Sequence, residues 1–361
     1  MESKDRIVSR KKAIIALSQT KGIGYYSIRQ LYLAQKNLED LRDLKFNELL
    51  FLFKKAKIKY ADSLANDFFI NKEKLFEKAE SVYFNLINKR KISFILEDEH
   101  LFPQSLKIIP DNPFWLFAEG NPEILNSDKI VAVVGTRHPT PKGIRIAQEL
   151  TEHLVKKDYI IVSGLALGID EAAHSETNKL KGQGIAVLGV GINLPFPAKT
   201  YRIRKDLVSN LGVVVSEYMI NDSYSKRSFF WRNRIQSGLS KVIFPIQGSL
   251  NSGTTHTIKF AETQKKKIIG VYLNEIEDEL QNEIFGYLNK RGCPIYDINS
   301  ELNEIISAIK SEKEEINLFE QIQLFDFEKE MKEEEAKKDV KRKKGFFKFI
   351  QSFFMKIKIK R

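Results

Sequence analysis

Between residues 91 and 300 the chain switches repeatedly between two periodicities, and this alternation narrows its fold more than any other feature. Short apolar runs rich in β-branched residues occupy 92–96, 129–134, 159–162, 184–188, 212–215, 241–246 and 267–271. Stretches of helical period lie between most of them, as at 143–156, 169–181 and 254–265. A strand that is apolar along its whole length needs cover on both faces, and a helix after each strand is the crossover that parallel strands require. The expectation is an α/β domain over 91–300: a Rossmann-like, doubly wound, mostly parallel sheet.

The flanks read differently. Residues 1–90 show apolar spacings of three and four with almost no Pro, which predicts an all-helical domain of helix-hairpin-helix or SAM-like type. Within it, Leu17 to Gly24 joins two helical stretches, the second starting at Tyr25. Its Gly22-Ile23-Gly24 is either a turn that lets backbone amides approach a DNA phosphate or a plain glycine turn in a bundle. Residues 301–361 form a charged linker and a basic, aromatic-rich tail. Lys341-Arg342-Lys343-Lys344 followed by Phe346-Phe347-Lys348-Phe349 suits an anionic membrane or another polyanion, or else docks on the body.

That tail also explains the charge. The chain carries +12, but 341–361 holds nine Lys and Arg and no acidic residue, leaving the rest at +3. Bulk charge therefore says little about the folded body, and any phosphate-binding claim must rest on a local site. Cys293 stands alone, which excludes an internal disulfide and a thiolate zinc cluster and fits a reducing compartment. No apolar run approaches the length of a spanning helix, and the apolar stretch after the charged start is too short for a signal peptide. The reading is soluble and cytoplasmic, with 42% hydrophobic residues to build a sizeable core.

In an open parallel sheet, ligands sit where strand C-termini meet helix N-termini. Gly135-Thr136-Arg137 to Lys142-Gly143 follows one strand. Gly135 permits close approach, Thr136 offers a hydroxyl, and Arg137 and Lys142 bring positive charge to a helix start, an arrangement that suits an oxyanion. The segment is neither Gly-x-Gly-x-x-Gly nor a Walker loop, so dinucleotide cofactors and P-loop hydrolysis lose support, and no cofactor or metal is expected. Ser163, Gly164 and Gly168 make a second small-residue loop. It leads to Asp170 and to His174 on the same helix face, and Asp170 is expected to orient that loop or His174 rather than to catalyse. Gly189-Val190-Gly191 with Phe196-Pro197, and Ser216-Glu217, end further strands. Phe230-Trp231-Arg232-Asn233-Arg234 is expected to open a helix, its arginines offering bidentate phosphate contacts and its aromatics stacking faces. The alternative is that Arg232 and Arg234 merely pair with Glu217. Ser252, Gly253 and Thr254 lie in a last small-residue loop suited to a phosphate. Together these loops place amide nests and three arginines on one sheet edge, a site for a chain of phosphates or a nucleotide.

Taken in order, these segments resemble the DNA-processing protein A family, also called Smf: Gly-Thr-Arg-x-Pro-Thr from Gly135, Ser-Gly-Leu-Ala-Leu-Gly-Ile-Asp from Ser163, Gly-x-Gly-Ile from Gly189, Ser216-Glu217, Phe-x-Arg-Asn-Arg-Ile from Phe230 and Ser252-Gly253-Thr254. Upstream, the run from Ile95 to Leu106, with Pro113 and Gly120, resembles that family's lead-in. The resemblance implies an extended Rossmann fold and a homodimer that binds single-stranded DNA without catalysis. It implies protection of incoming DNA and loading of a RecA-type recombinase in natural transformation. DNA contacts carry over to Arg137, the 163–170 loop and Arg232-Asn233-Arg234. The sequence departs from the family at Ile246 to Leu250, which lacks the usual acidic residue and alanine, and its tail is too short for the winged helix many members carry. The alternative from another class is a Rossmann-type free-nucleotide binder or phosphoribohydrolase-like nucleotide hydrolase, although no Pro-Gly-Gly-x-Gly-Thr segment with a following glutamate is present.

Overall fold

The structure, a computed structural model, describes residues 4–35, 37–273 and 279–311. Helices α1 (Lys4–Ser18), α2 (Tyr25–Ala34), α3 (Phe46–Lys55) and α4 (Ala61–Phe84) come first. The eight strands of the main sheet follow: β1 (Ile92–Leu96), β2 (Trp115–Gly120), β3 (Ile130–Val134), β4 (Ile160–Ser163), β5 (Gly184–Val187), β6 (Val213–Ser216), β7 (Val242–Pro245) and β8 (Lys267–Ile268). Between them lie α5 (Gln104–Lys107), α6 (Pro141–Val155), α7 (Ile169–Lys179), α8 (Tyr201–Ser209), α9 (Lys226–Leu239) and α10 (Gly253–Thr263). A parallel pair, β9 (Gly270–Tyr272) with β10 (Ile295–Asp297), closes the body together with α11 (Glu279–Asn289) and α12 (Leu302–Lys310).

The sheet order is β1-β2-β6-β5-β4-β3-β7-β8. From β6 to β8 all pairings are parallel, while β1 and β2 add an antiparallel extension. The chain steps outward from β3 through β4 and β5 to β6, then crosses back to place β7 on the other side of β3. The switch point thus falls between β3 and β7.

Two-sided burial explains why the central strands are continuously apolar. In β3, Ile130, Ala132 and Val134 join Ile235, Leu239 and Ile258 of α9 and α10 on one face. Val131 and Val133 meet Ile146, Leu150 and Ala173 of α6 and α7 on the other. The first helices share a core with the sheet: Ile14, Tyr25 and Tyr32 lie in one cluster with Phe94, Trp115, Phe117 and Val214. Residues 4–311 belong to one compact unit, and α12 buries Ile305, Ile306 and Ile309, so the fold runs past 300. The charged linker from 312 and the basic tail over 341–361 lie outside the described residues.

Two strands escape the sequence reading. β2 (Trp-Leu-Phe-Ala-Glu-Gly) carries little β-branching, yet it is held between β1 and β6. β10 is only three residues long. The single strand expected over 267–271 divides, with β8 in the main sheet and β9 in the small one. No helix among the described residues is long and apolar enough to cross a membrane.

A candidate polyanion-binding rim at the switch point

Three long helices, α6, α7 and α10, begin just beyond the C-terminal ends of β3, β4 and β7, the strands around the switch point. Thr140 caps α6: its hydroxyl accepts from Gly143 N at 3.2 Å, and Pro141 supplies the preset φ of a first helical residue. The loops are tied to one another. Thr136 N donates to Gln247 O at 2.8 Å across the ends of β3 and β7, and Ile169 N donates to Thr136 O at 3.2 Å. Gly168 has φ +88°, and a β-carbon there would lie 2.4 Å from Thr136 O, so only glycine fits where the loops touch. Asn233 Nδ2 donates to Gly253 O at 3.3 Å, tying α9 to the start of α10.

Sequence reasoning missed Gln247, which is buried and clasps two loops. Its Nε2 donates to Thr140 Oγ1 at 2.7 Å and its Oε1 accepts from Thr140 N at 3.1 Å. The absence of the family's acidic residue in this stretch was the available signal.

The three arginines take three different environments. Arg137 is exposed, its guanidinium 5.2 Å over the Phe229 ring. Arg232 is only 4% exposed; its Nη1 donates to Val187 O at 2.7 Å, and its Nε has no hydrogen-bond partner among the described residues. Burial lowers its pKa to about 10, with Asp170 opposing the shift and Arg137 adding to it, so both charges bear on Arg232. Arg234 points the other way, donating to Glu217 Oε2 at 2.5 Å, where Tyr25 OH also donates at 2.6 Å. Burial disfavours its charge, but Glu217, Tyr25 and Asp111 outweigh that and raise its pKa. The alternative of pairing with Glu217 therefore holds for Arg234 and not for Arg232. The reason is the helix: α9 starts at Lys226 rather than Phe230, so the Arg-Asn-Arg run lies in its middle, with successive side chains on different faces.

Other predicted positions face inward and build the rim. Ser163 Oγ donates to Val133 O at 2.7 Å, and Asp170 Oδ2 accepts from Gly164 N at 3.1 Å. Burial raises the Asp170 pKa against the pull of Arg232. His174 is fully buried, and the lost hydration of its charged form holds its pKa at about 4. Thr254 is buried with its hydroxyl on Gln247 O at 3.3 Å. Lys142, Gly135, Thr136, Ser252 and Gly253 retain exposed surface, and a β-carbon on Gly253 would meet nothing within 4 Å.

The aromatic residues at the rim are not the expected ones. Phe230 and Trp231 pack on Phe260 of α10, with centroids at 5.2 and 6.0 Å. Arg137 instead borders Phe229, which clusters with Phe196 at 5.8 Å and Tyr224 at 6.0 Å. Among the described residues no cluster of His, Cys, Asp and Glu is arranged to hold a metal.

Fold and rim together define an α/β protein of the Rossmann class whose switch-point edge carries arginines, open helix starts and a cluster of aromatic rings. A family model described as DNA recombination-mediator protein A matches residues 93–286, more than half of the chain, and the chain belongs to that family. DNA processing protein DprA of Bacillus subtilis is 35% identical over 170 residues, covering 47% of this chain and 57% of that protein. DprA of Streptococcus pneumoniae is 34% identical over 179 residues, covering 50% and 62%. Protein Smf of Escherichia coli is 35% identical over 174 residues, covering 48% and 46%. The chain thus spans about half the length of these relatives. Among solved structures, DprA from Streptococcus pneumoniae superposes with a TM-score of 0.64 at 22% identity, covering 84% of this chain and 99% of that one, a likeness of fold. DNA processing protein A from Helicobacter pylori, solved for its single-stranded DNA binding mode, gives 0.53 at 26% identity, covering 61% and 96%.

Proposed function

We propose that this protein binds single-stranded DNA along the switch-point rim without chemistry and without reading sequence. It protects the strand and presents it to a RecA-type recombinase, acting as a cytoplasmic homodimer. The observation that carries this reading is Arg137: exposed, laid over an aromatic ring, and next to the buried Arg232, whose charge Asp170 partly offsets. A phosphate relieves the repulsion between two guanidiniums, and the rings beside them offer faces to unpaired bases. Asp170 and His174 are buried supports, which fits binding rather than acid–base work. The recombinase partner and the dimer are the family's expected attributes, and the description as a recombination mediator supports the first.

Fluorescence anisotropy with labelled oligodeoxythymidine, titrated against salt, tests the reading. Affinity should fall by about 0.7 log units per log unit of salt for each phosphate neutralised. Arg137→Ala should lose about 1–3 kcal/mol of binding while remaining folded. A folded Arg137→Ala with parental affinity overturns the site. Stabilisation by free nucleotides in a thermal shift, without oligonucleotide binding, would assign the rim to nucleotides instead.

A further inference from the structure

The exposed segment beside the rim carries cations and rings further than the rim requires. Residues 223–227 (Ser-Tyr-Ser-Lys-Arg) are all exposed and contain no acidic side chain. At 100° per helical residue, Phe229, Lys226 and Arg227 follow one another around the outward arc of α9's first turn, while Ser228 occupies the inner arc and is buried. Phe229 meets Arg137 on one side of that arc. On the other side, the Arg227 guanidinium lies 4.5 Å over the ring of Tyr26, which belongs to α2 and is 41% exposed.

Buried contacts fix this arrangement. Tyr25, the neighbour of Tyr26, and Arg234 of α9 donate to the same Glu217 oxygen, and Tyr218 OH donates to Ser228 O at 3.1 Å. The first turn of α9 and the start of α2 therefore present their cations and rings at a set spacing, without ordering loops on binding.

We propose that a bound strand continues from the rim across Lys226 and Arg227 onto Tyr26, so that the N-terminal helices supply the second segment of one single-strand track. The inference rests on the rim being a single-strand site. A guanidinium over an exposed ring matches a phosphate followed by an unpaired base, and duplex DNA, whose bases are stacked inside, would use the cations alone.

The test is binding of oligodeoxythymidines of about 6 and about 20 nucleotides, near the lower end of and beyond the roughly 4–16 nucleotides that single-strand sites occupy. The chains compared are the parent, Arg137→Ala, Arg227→Ala, Tyr26→Ala and Tyr26→Phe. The expected result is a loss of about 5-fold or more for Arg227→Ala and Tyr26→Ala on the long oligonucleotide only, with Tyr26→Phe close to parental. Arg227→Ala should also lower the salt dependence of long-strand binding by about 0.7 log units per log unit. Arg137→Ala should weaken both lengths. Parental binding of both lengths by folded Arg227→Ala and Tyr26→Ala, or equal losses on both lengths, overturns the second segment and leaves the rim standing. If Arg137→Ala binds both lengths normally, the rim reading falls and the track falls with it.

Discussion

The Arg232 guanidinium crosses the backbone of Gly164 so closely that a β-carbon on Gly164 would lie 1.6 Å from Nη1. The glycine is needed because an arginine passes above it, at the loop that leads from β4 into α7. The guanidinium has little freedom to retreat, since it is buried and hydrogen-bonded to Val187 O. Gly164→Ala should therefore destabilise the fold by about 1–3 kcal/mol, the scale of overpacking, as read by urea unfolding. Binding should weaken as well, because Asp170 accepts from Gly164 N and the loop moves with it. A parental unfolding midpoint would mean that the guanidinium has room to swing aside.

Arg137 and Arg234 should respond oppositely to truncation. Arg234→Ala leaves the carboxylate of Glu217, 1% exposed, without its cation, and removing one partner of a buried pair costs about 3–5 kcal/mol. Arg137→Ala, on an exposed side chain, should change stability by no more than about 0.5 kcal/mol while weakening single-strand binding. Chemical denaturation of the two variants checks the contrast. Equal stability losses would contradict the inward placement of Arg234.

These two arginines also mark where sequence reading succeeds and where it stops. The doubly wound sheet is visible because two-sided burial makes β3 to β7 continuously apolar and the 3.6 period returns between them. The rim is visible because its glycines and cations stand at strand ends, as the Gly135 and Ser163 loops do. Which arginine of the Arg-Asn-Arg run turns toward the rim loops depends on helical phase, and that follows from where α9 starts. Ser225 caps the helix by accepting from Ser228 N at 2.9 Å, so α9 starts at Lys226, four residues before the aromatic pair that looked like the opening. β2 stayed hidden because pairing on both sides, not propensity, makes it a strand. Gln247 was marked only by the missing acidic residue, and its clasp of Thr140 and the Phe196–Tyr224–Phe229 cluster were out of reach because they join segments distant in sequence.

His174 gives the fold an acid-sensitive point. Burial lowers its pKa from 6.5 to about 4, so the unfolded chain binds a proton that the folded chain refuses between those values. The histidine's share of the stability should be flat above about pH 7.5 and fall by about 2 kcal/mol between pH 7.5 and pH 5. His256, also lowered to about 4 by burial and Lys259, adds a loss of the same sense in parent and variant alike. Asp170 acts in the opposite sense from pH 3.8 upward, since burial raises its carboxyl, and it persists in a His174→Gln variant. The parent's extra slope over that variant, measured by urea unfolding at several pH values, isolates the histidine. Identical slopes would mean that His174 takes up its proton without unfolding.

Tyr224 separates stacking from charge at the rim. It lies against Phe196 at 4.8 Å and 20° between planes, and it is 59% exposed. One face lies on Phe196, the ring keeps more than half of its surface for a base, and stacking of this kind contributes about 1–3 kcal/mol per base. Tyr224→Ala should weaken oligodeoxythymidine binding on that scale and leave its salt dependence unchanged, because no cation is removed. Arg137→Ala should flatten the salt dependence by about 0.7 log units per log unit. Tyr224→Phe keeps the ring and should bind like the parent, which distinguishes a stacking face from a hydroxyl contact. The measurement is anisotropy at three or more salt concentrations for each variant. Parental affinity in Tyr224→Ala, or a loss that tracks salt as Arg137→Ala does, would remove the aromatic cluster from the binding surface and leave the rim a purely electrostatic site.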